Sequence, residues 1–257
     1  KNLAAKDIGV TWVEFPTGPQ LLEALDVGSI DFGLVGETPP AFAQAAGTSL
    51  VYVGNDPPAP HAEGVLVPKG SPIRGIADLK GKRIVLNKGS NVHYLLVRLL
   101  EKAGLKYGDV EVVYLAPSDA RAAFENGSVD AWVIWDPFTA AAEAEIGARL
   151  LADGTGVADN YIFYVATRSY ADRNPEVLAL LLHEINVQEH WIENNLKASA
   201  AIIAPQIGVS EAVAQVALAR YSYGVEPVTP DVVRVQQKSA DTFYDLKLVP
   251  RKIYVAS

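Results

Sequence analysis

A chain of 257 residues, 49% of them hydrophobic, is long enough to bury one large core or two modest ones. Its formal net charge of -8, with no cluster of Lys and Arg to neutralise a run of phosphates, excludes a nucleic-acid surface. The absence of Cys excludes disulfides, zinc-thiolate sites and Cys nucleophiles, and no apolar run approaches the roughly 18 to 20 residues that span a bilayer.

The chain contains no Met, so Lys1 is expected to follow a removed segment, and export is one reason for such removal. VTWVEF at 10–15 is short, apolar and rich in β-branched residues, the pattern of a buried strand. A Pro-containing turn, PTGPQ, leads to a short helix closed by Gly28, where glycine takes the left-handed position past the helix end. The apolar strand FGLVG follows, and Thr38 before Pro39 reads as an N-cap followed by Pro at the first helical position.

EGVLVP (63–68) is a strand leaving this first lobe, and KGSPIRGIADLKG is polar, turn-rich and surface-like. KRIVLNKG (82–89) is a strand, after which Ser90 caps a helix with Val92, Leu95, Leu96, Leu99 and Leu100 on one face as far as Gly104. The first pattern then recurs at an offset of 99 positions, Gly28 matching Gly127, Ser29 matching Ser128 and Asp31 matching Asp130. VEVVYL (110–115), the turn APSDA, a helix ending at Gly127, the strand AWVIW and Asp136 before Pro137 repeat the earlier order. YIFYVATRSYA (161–171) is a strand returning the chain to the first lobe, and the remainder from Pro175 to Leu246 is helical by pattern.

Strands alternating with helices predict an α/β fold with mostly parallel sheets, helices on both faces and a two-stranded hinge. The expected lobes are 1–66 with 167–257, and 67–166. In such sheets ligands sit beyond the carboxyl ends of the strands, so the repeat predicts two facing sites. Four helix N-termini are offered there: after Gly36, Glu37 and Thr38, after Gly89, Ser90 and Asn91, after Ser118, and after Asp136. Their unpaired N–H groups and partial positive charge suit a small anion without Lys or Arg, which reconciles an acidic chain with an anionic ligand. Ser, Thr and Asp also cap most helices for purely structural reasons, and the KGSN loop is the strongest of the four because glycine admits close backbone approach and Ser90 and Asn91 add side-chain donors.

Trp132 reads as core, whereas Trp135 at the strand end serves equally as core or as an apolar pocket wall. His93 follows the KGSN loop, and none of the four His residues shows metal-ligand spacing. Glu37 and Asp136 hold equivalent places in the two copies, either as caps or as acceptors for ligand hydroxyl or amine groups. No nucleophile elbow, P-loop or dinucleotide fingerprint is present, so no catalytic residue and no cofactor is assigned.

VEFPTGPQLLEALDVGSIDFG, GETPPAFAQAAG, SPIRGIADLKGKR, KGSNVHYLL, YLAPSDARAAFENGSVDAWVIWDPF and LVPRKI together resemble the periplasmic aliphatic sulfonate-binding proteins of ABC importers. PPAFAQAAG with DAWVIWDPF favours the alkanesulfonate branch over relatives that bind taurine, nitrate or pyrimidine precursors. The resemblance implies a type II periplasmic-binding fold of two lobes, a monomer that captures an organosulfonate anion and passes it to an inner-membrane permease. It places the sulfonate at Gly36, Glu37, Thr38, Ser90 and Asn91, with His93 near the second loop and Trp132, Trp135 and Asp136 around the organic tail. Family members begin with a strand and helix ahead of the equivalent of VTWVEF, and that unit is missing here. Enzymes of vitamin biosynthesis with the same fold are the alternative class.

Overall fold

The computed structural model describes residue 3 and residues 6–255, so Lys1 and the expectation attached to it lie outside the described residues. Elements alternate in the order α1 (Gly18–Asp26), β1 (Phe32–Gly36), α2 (Thr38–Ala46), β2 (Leu50–Asn55), β3 (Glu63–Val67), β4 (Arg83–Leu86), α3 (Asn91–Lys102), β5 (Glu111–Tyr114) and α4 (Pro117–Glu125). There follow β6 (Ala131–Trp135), α5 (Phe138–Ile146), β7 (Arg149–Asp153), β8 (Ile162–Thr167), α6 (Arg168–Arg173), α7 (Pro175–Asn194), α8 (Leu196–Ile207), α9 (Glu211–Arg220) and α10 (Pro230–Asp245).

The chain forms two compact units, the first of residues 1–57, 161–194 and 223–257, the second of 58–160 and 195–222. It passes between them after Pro57, Asn160, Asn194 and Ser222, four crossings where two were expected. The helices at 195–222 group with the second unit, not with the lobe assigned to 167–257. Helical periodicity alone carries no information about which sheet a helix covers.

In the first unit, β1, β8 and β2 form an antiparallel sheet in that order. Leu22 and Leu25 of α1, Val35, Leu50, Phe163, Val165 and Val232 of α10 make its core. In the second unit the order is β5-β4-β6-β3-β7, and parallel pairing is confined to β4 with β5 and β6. Leu66, Val85, Phe124, Trp132 and Ile134 build this core. Within the second unit α9 packs on α5 through Ala140, Ala141, Val213 and Ala217.

The repeat is visible in the backbone. From α1 to α4 and from β1 to β6 the element bounds shift by 99 positions, and both helices end in the same hydrogen-bonded turn. Gly28 N–H reaches Leu25 O and Ser29 N–H reaches Ala24 O, as Gly127 N–H reaches Phe124 O and Ser128 N–H reaches Ala123 O. The two glycines sit at φ 72° and 75°, in the left-handed region that a β-carbon disfavours. Each copy also receives a strand from elsewhere: β8, which follows the second copy, inserts antiparallel between β1 and β2, and β3, which follows the first, inserts antiparallel between β6 and β7.

Residues 10–15 are not a strand. Val10, Trp12 and Val13 are exposed and the run pairs with no strand among the described residues. Its counterpart β5 is held by the parallel neighbour β4, and no described residue takes the place of β4 beside β1. An apolar run becomes a strand only where a ladder satisfies its backbone.

Three expected caps are displaced. The N-cap of α2 is Glu37, with Thr38 already helical, because Pro39 and Pro40 need no acceptor for an N–H and fit anywhere in the first turn. The N-cap of α5 is Pro137, so α5 starts one position later in its copy than α2 does, although Asp136 Oδ1 still accepts the Ala140 N–H at 2.9 Å. The N-cap of α4 is Ala116, which puts Ser118 inside the helix. Ser90 holds the N-cap position of α3 as expected, but its hydroxyl makes no capping bond and turns back to Asn87 O.

Candidate functional site

In the first unit β1 delivers the chain to the turn Gly36, Glu37, Thr38 at the start of α2. Glu37 is buried, its Oε2 accepting the Tyr161 N–H at 3.4 Å and its carbonyl accepting Gln236 Nε2 at 2.5 Å. Gln236 also reaches the Tyr52 hydroxyl at 3.1 Å, which donates to Gln44 at 3.0 Å, so α10 and β2 brace the turn from behind. Burial raises the Tyr52 phenol, opposed by the Gln236 bond, and keeps it protonated.

Thr38 is completely buried and its Oγ1 has no hydrogen-bond partner among the described residues. An orphaned buried hydroxyl costs about 1 to 3 kcal/mol unless an acceptor meets it. The two prolines that follow have no N–H, so the donors here are Thr38 and the turn backbone, not a full first turn of helix.

In the second unit β4 leads into Asn87, Lys88, Gly89 and Ser90, with Gly89 at φ 74°. Ser90 Oγ donates to Asn87 O at 2.7 Å and closes the turn on itself. The Asn91 amide donates one hydrogen to Glu63 Oε2 at 2.6 Å and the other to Asn160 Oδ1 at 2.9 Å. Both side chains were expected to supply donors to a ligand; the structure has already engaged them, which leaves the backbone N–H groups at the start of α3.

His93 is buried beneath this turn. Its Nδ1 accepts the Gly89 N–H at 3.3 Å, so Nε2 carries the proton that meets the Tyr107 hydroxyl at 2.7 Å, and Tyr107 bonds Tyr114 at 2.8 Å. Burial, with the Lys88 charge adding, pushes the His93 pKa down to about 3. The imidazole is neutral and braces the glycine turn from inside, in place of the ligand contact expected for it.

Trp132 is fully buried among Leu66, Val85 and Phe124, a core residue. Trp135 is half-buried at the end of β6, edge-on to Phe138, and lies opposite Glu63 in the β3–β6 ladder. Through Glu63 the structure therefore joins Trp135 to Asn91 within one unit. Asp136 is buried, with Arg220 Nη1 at 3.4 Å from each of its carboxylate oxygens and its carbonyl accepting the Tyr221 hydroxyl at 2.9 Å. Burial raises its pKa, while the Ala140 bond and the Arg220 charge oppose the rise. Its carboxylate is thus occupied in joining α5 to the end of α9.

Glu63, Asn160 and Tyr107 were missed by sequence reading. Asn91 lies 28 residues from Glu63 and 69 from Asn160, Tyr107 lies 14 from His93, and no local pattern marks such pairs. Among the described residues no group of three or more His, Asp or Glu is placed to hold a metal, and no single helix is long and apolar enough to cross a membrane.

The family model described as "NMT1/THI5 like" matches residues 4–186. A putative aliphatic sulfonates-binding protein of Escherichia coli K12 is 46% identical over 245 residues, covering 95% of this chain and 77% of the relative. The crystal structure of the periplasmic aliphatic sulphonate binding protein SsuA from Escherichia coli superposes with a TM-score of 0.92 at 44% identity, over 99% of this chain and 84% of that one. The alkanesulfonate-binding protein SsuA from Xanthomonas axonopodis pv. citri, bound to MOPS, superposes at 0.94 with 44% identity, over 99% and 89%. These likenesses give the chain the type II periplasmic-binding fold expected from its motifs, and the chain belongs to the aliphatic sulfonate-binding proteins of the NMT1/THI5-like family.

Proposed function

We propose that this protein is a non-enzymatic, extracytoplasmic solute-binding protein that captures aliphatic sulfonates and delivers them to the permease of an ABC importer. The observation that carries the ligand class is the buried Thr38 hydroxyl, which has no hydrogen-bond partner among the described residues. A sulfonate has three acceptor oxygens and one negative charge, and it leaves water only where several donors meet it. The Gly36–Thr38 turn and the Asn91 N–H at the start of α3 are the donors we assign, because the Gly89 and Ser90 N–H groups are bonded to His93 and Asn87 O, with Trp135 assigned to the organic tail. Charge-assisted hydrogen bonds of about 1.5 to 3 kcal/mol each make three or four of them sufficient for micromolar affinity, about -8 kcal/mol, after other costs. The carboxylates of Glu37 and Asp136 do not suit an anion; Glu37 is assigned to a hydroxyl or amine on the ligand, and Asp136 to the frame.

Thermal unfolding with a panel of alkanesulfonates, taurine, sulfate and nitrate tests the reading, since a ligand bound by the native state alone raises Tm with its concentration. Alkanesulfonates are expected to stabilise most, and Thr38→Val to reduce that stabilisation while leaving the ligand-free Tm nearly unchanged. Absence of any shift with every sulfonate would reject the assignment.

A further inference from the structure

Asn160 and Tyr161 are the consecutive residues at which the chain leaves the second unit and enters the first. Asn160 is buried and held at φ 53°, a left-handed conformation that Asn tolerates better than most residues. Its Oδ1 accepts from Asn91, at the head of α3, and its Nδ2 donates to Ala59 O at 2.9 Å. Ala59 belongs to the neighbouring crossing segment, where Ala59 N–H also bonds Asp159 O at 2.9 Å. One residue further on, the Tyr161 N–H bonds Glu37 at the head of α2. A single peptide step therefore holds one turn in each unit, the same two turns assigned above to the sulfonate.

We propose that Asn160 is a positioning residue for ligand binding: its side chain fixes the Asn91 turn to the crossing strand, and its left-handed backbone directs the next N–H to Glu37. This inference rests on the sulfonate assignment.

The experiment is titration calorimetry with ethanesulfonate on the wild type, Asn160→Gly, Asn91→Ala and the double variant, alongside their ligand-free unfolding. Glycine keeps the backbone conformation and removes both side-chain bonds. Loss of two hydrogen bonds that orient the turn is expected to raise Kd about tenfold in Asn160→Gly. The double variant is expected to lose less than the product of the two single losses, because the Asn91–Asn160 bond is common to both changes. Asn160→Asp, which keeps the acceptor for Asn91, is expected to recover part of the affinity. Asn91→Ala probes the linkage from the other partner should Asn160→Gly not fold. A wild type that binds ethanesulfonate beside an Asn160→Gly with Kd within about twofold of it, or losses that multiply in the double variant, overturns the inference alone. A wild type that does not bind overturns the sulfonate assignment and this inference with it.

Discussion

In the first copy of the repeat Leu21 of α1 lies over Gly33 of β1, so closely that a β-carbon on the glycine would meet Leu21 Cδ2 at 2.5 Å. The equivalent places in the second copy, 99 positions on, are Ala120 of α4 and Trp132 of β6, and both lie in one core cluster. The helix and strand backbones keep register while the bulk moves from helix to strand. Two cores of the same design are thus filled from opposite sides, and the residue that a position tolerates is set by its partner across the layer.

Substitutions at these places test that comparison directly. Trp132→Ala is expected to cost about 3 to 5 kcal/mol in chemical denaturation, as for other large aromatic deletions in a core. A loss below about 1 kcal/mol would mean that the second core collapses around the gap. Gly33→Ala is expected to cost about 1 to 3 kcal/mol by crowding Leu21, less in a chain that also carries Leu21→Ala. Additive costs in that double variant would break the idea of complementary packing.

The two copies also differ in their acids. Asp56, just beyond the end of β2, has its pKa raised to about 8 by burial, with the Glu189 charge and the neighbouring Glu226 adding and the Tyr164 bond opposing. Asp153, at the end of β7, is lowered, because bonds from Thr155 and His61 outweigh its burial. An acid whose folded pKa is raised keeps its proton after the unfolded chain has released it. Its contribution is therefore greatest below the ordinary carboxylate range and declines as pH rises toward about 8. Asp153 has the opposite sign, its contribution being lost as pH falls through its folded pKa. Tm measured from pH 5 to 8 is expected to decline less steeply in Asp56→Asn than in the wild type, and equal slopes would refute the assignment.

The smallest effect is expected at Trp12, which is 76% exposed in an unpaired run. Trp12→Gln should change stability by less than about 0.5 kcal/mol, measured by denaturation. A larger loss would show that the run is bound more firmly than its exposure implies.

The alternation of strands and helices, the offset of 99 positions, the glycine helix ends at Gly28 and Gly127 and the position of Ser90 ahead of α3 were all legible in the sequence. Each is a local steric or hydrogen-bonding preference, expressed within a turn or two of the residue that carries it. The caps before α2 and α5 were legible only to within one residue, because Pro is tolerated at several places in a first turn. The candidate site was legible as two turns, but not as a set of contacts. Ser90 and Asn91 stood out as donors by residue type, with His93 close behind them, and tertiary structure turned all three side chains inward to hold the turn. The sequence by itself determined the elements, their repetition and the two turns. Only the folded chain decided that residues 10–15 lack a ladder, that β3 and β8 each complete the sheet of the other copy, and that Asn160 meets Asn91. Local preferences act between neighbours, whereas ladders and buried hydrogen bonds require partners that only the fold brings within reach.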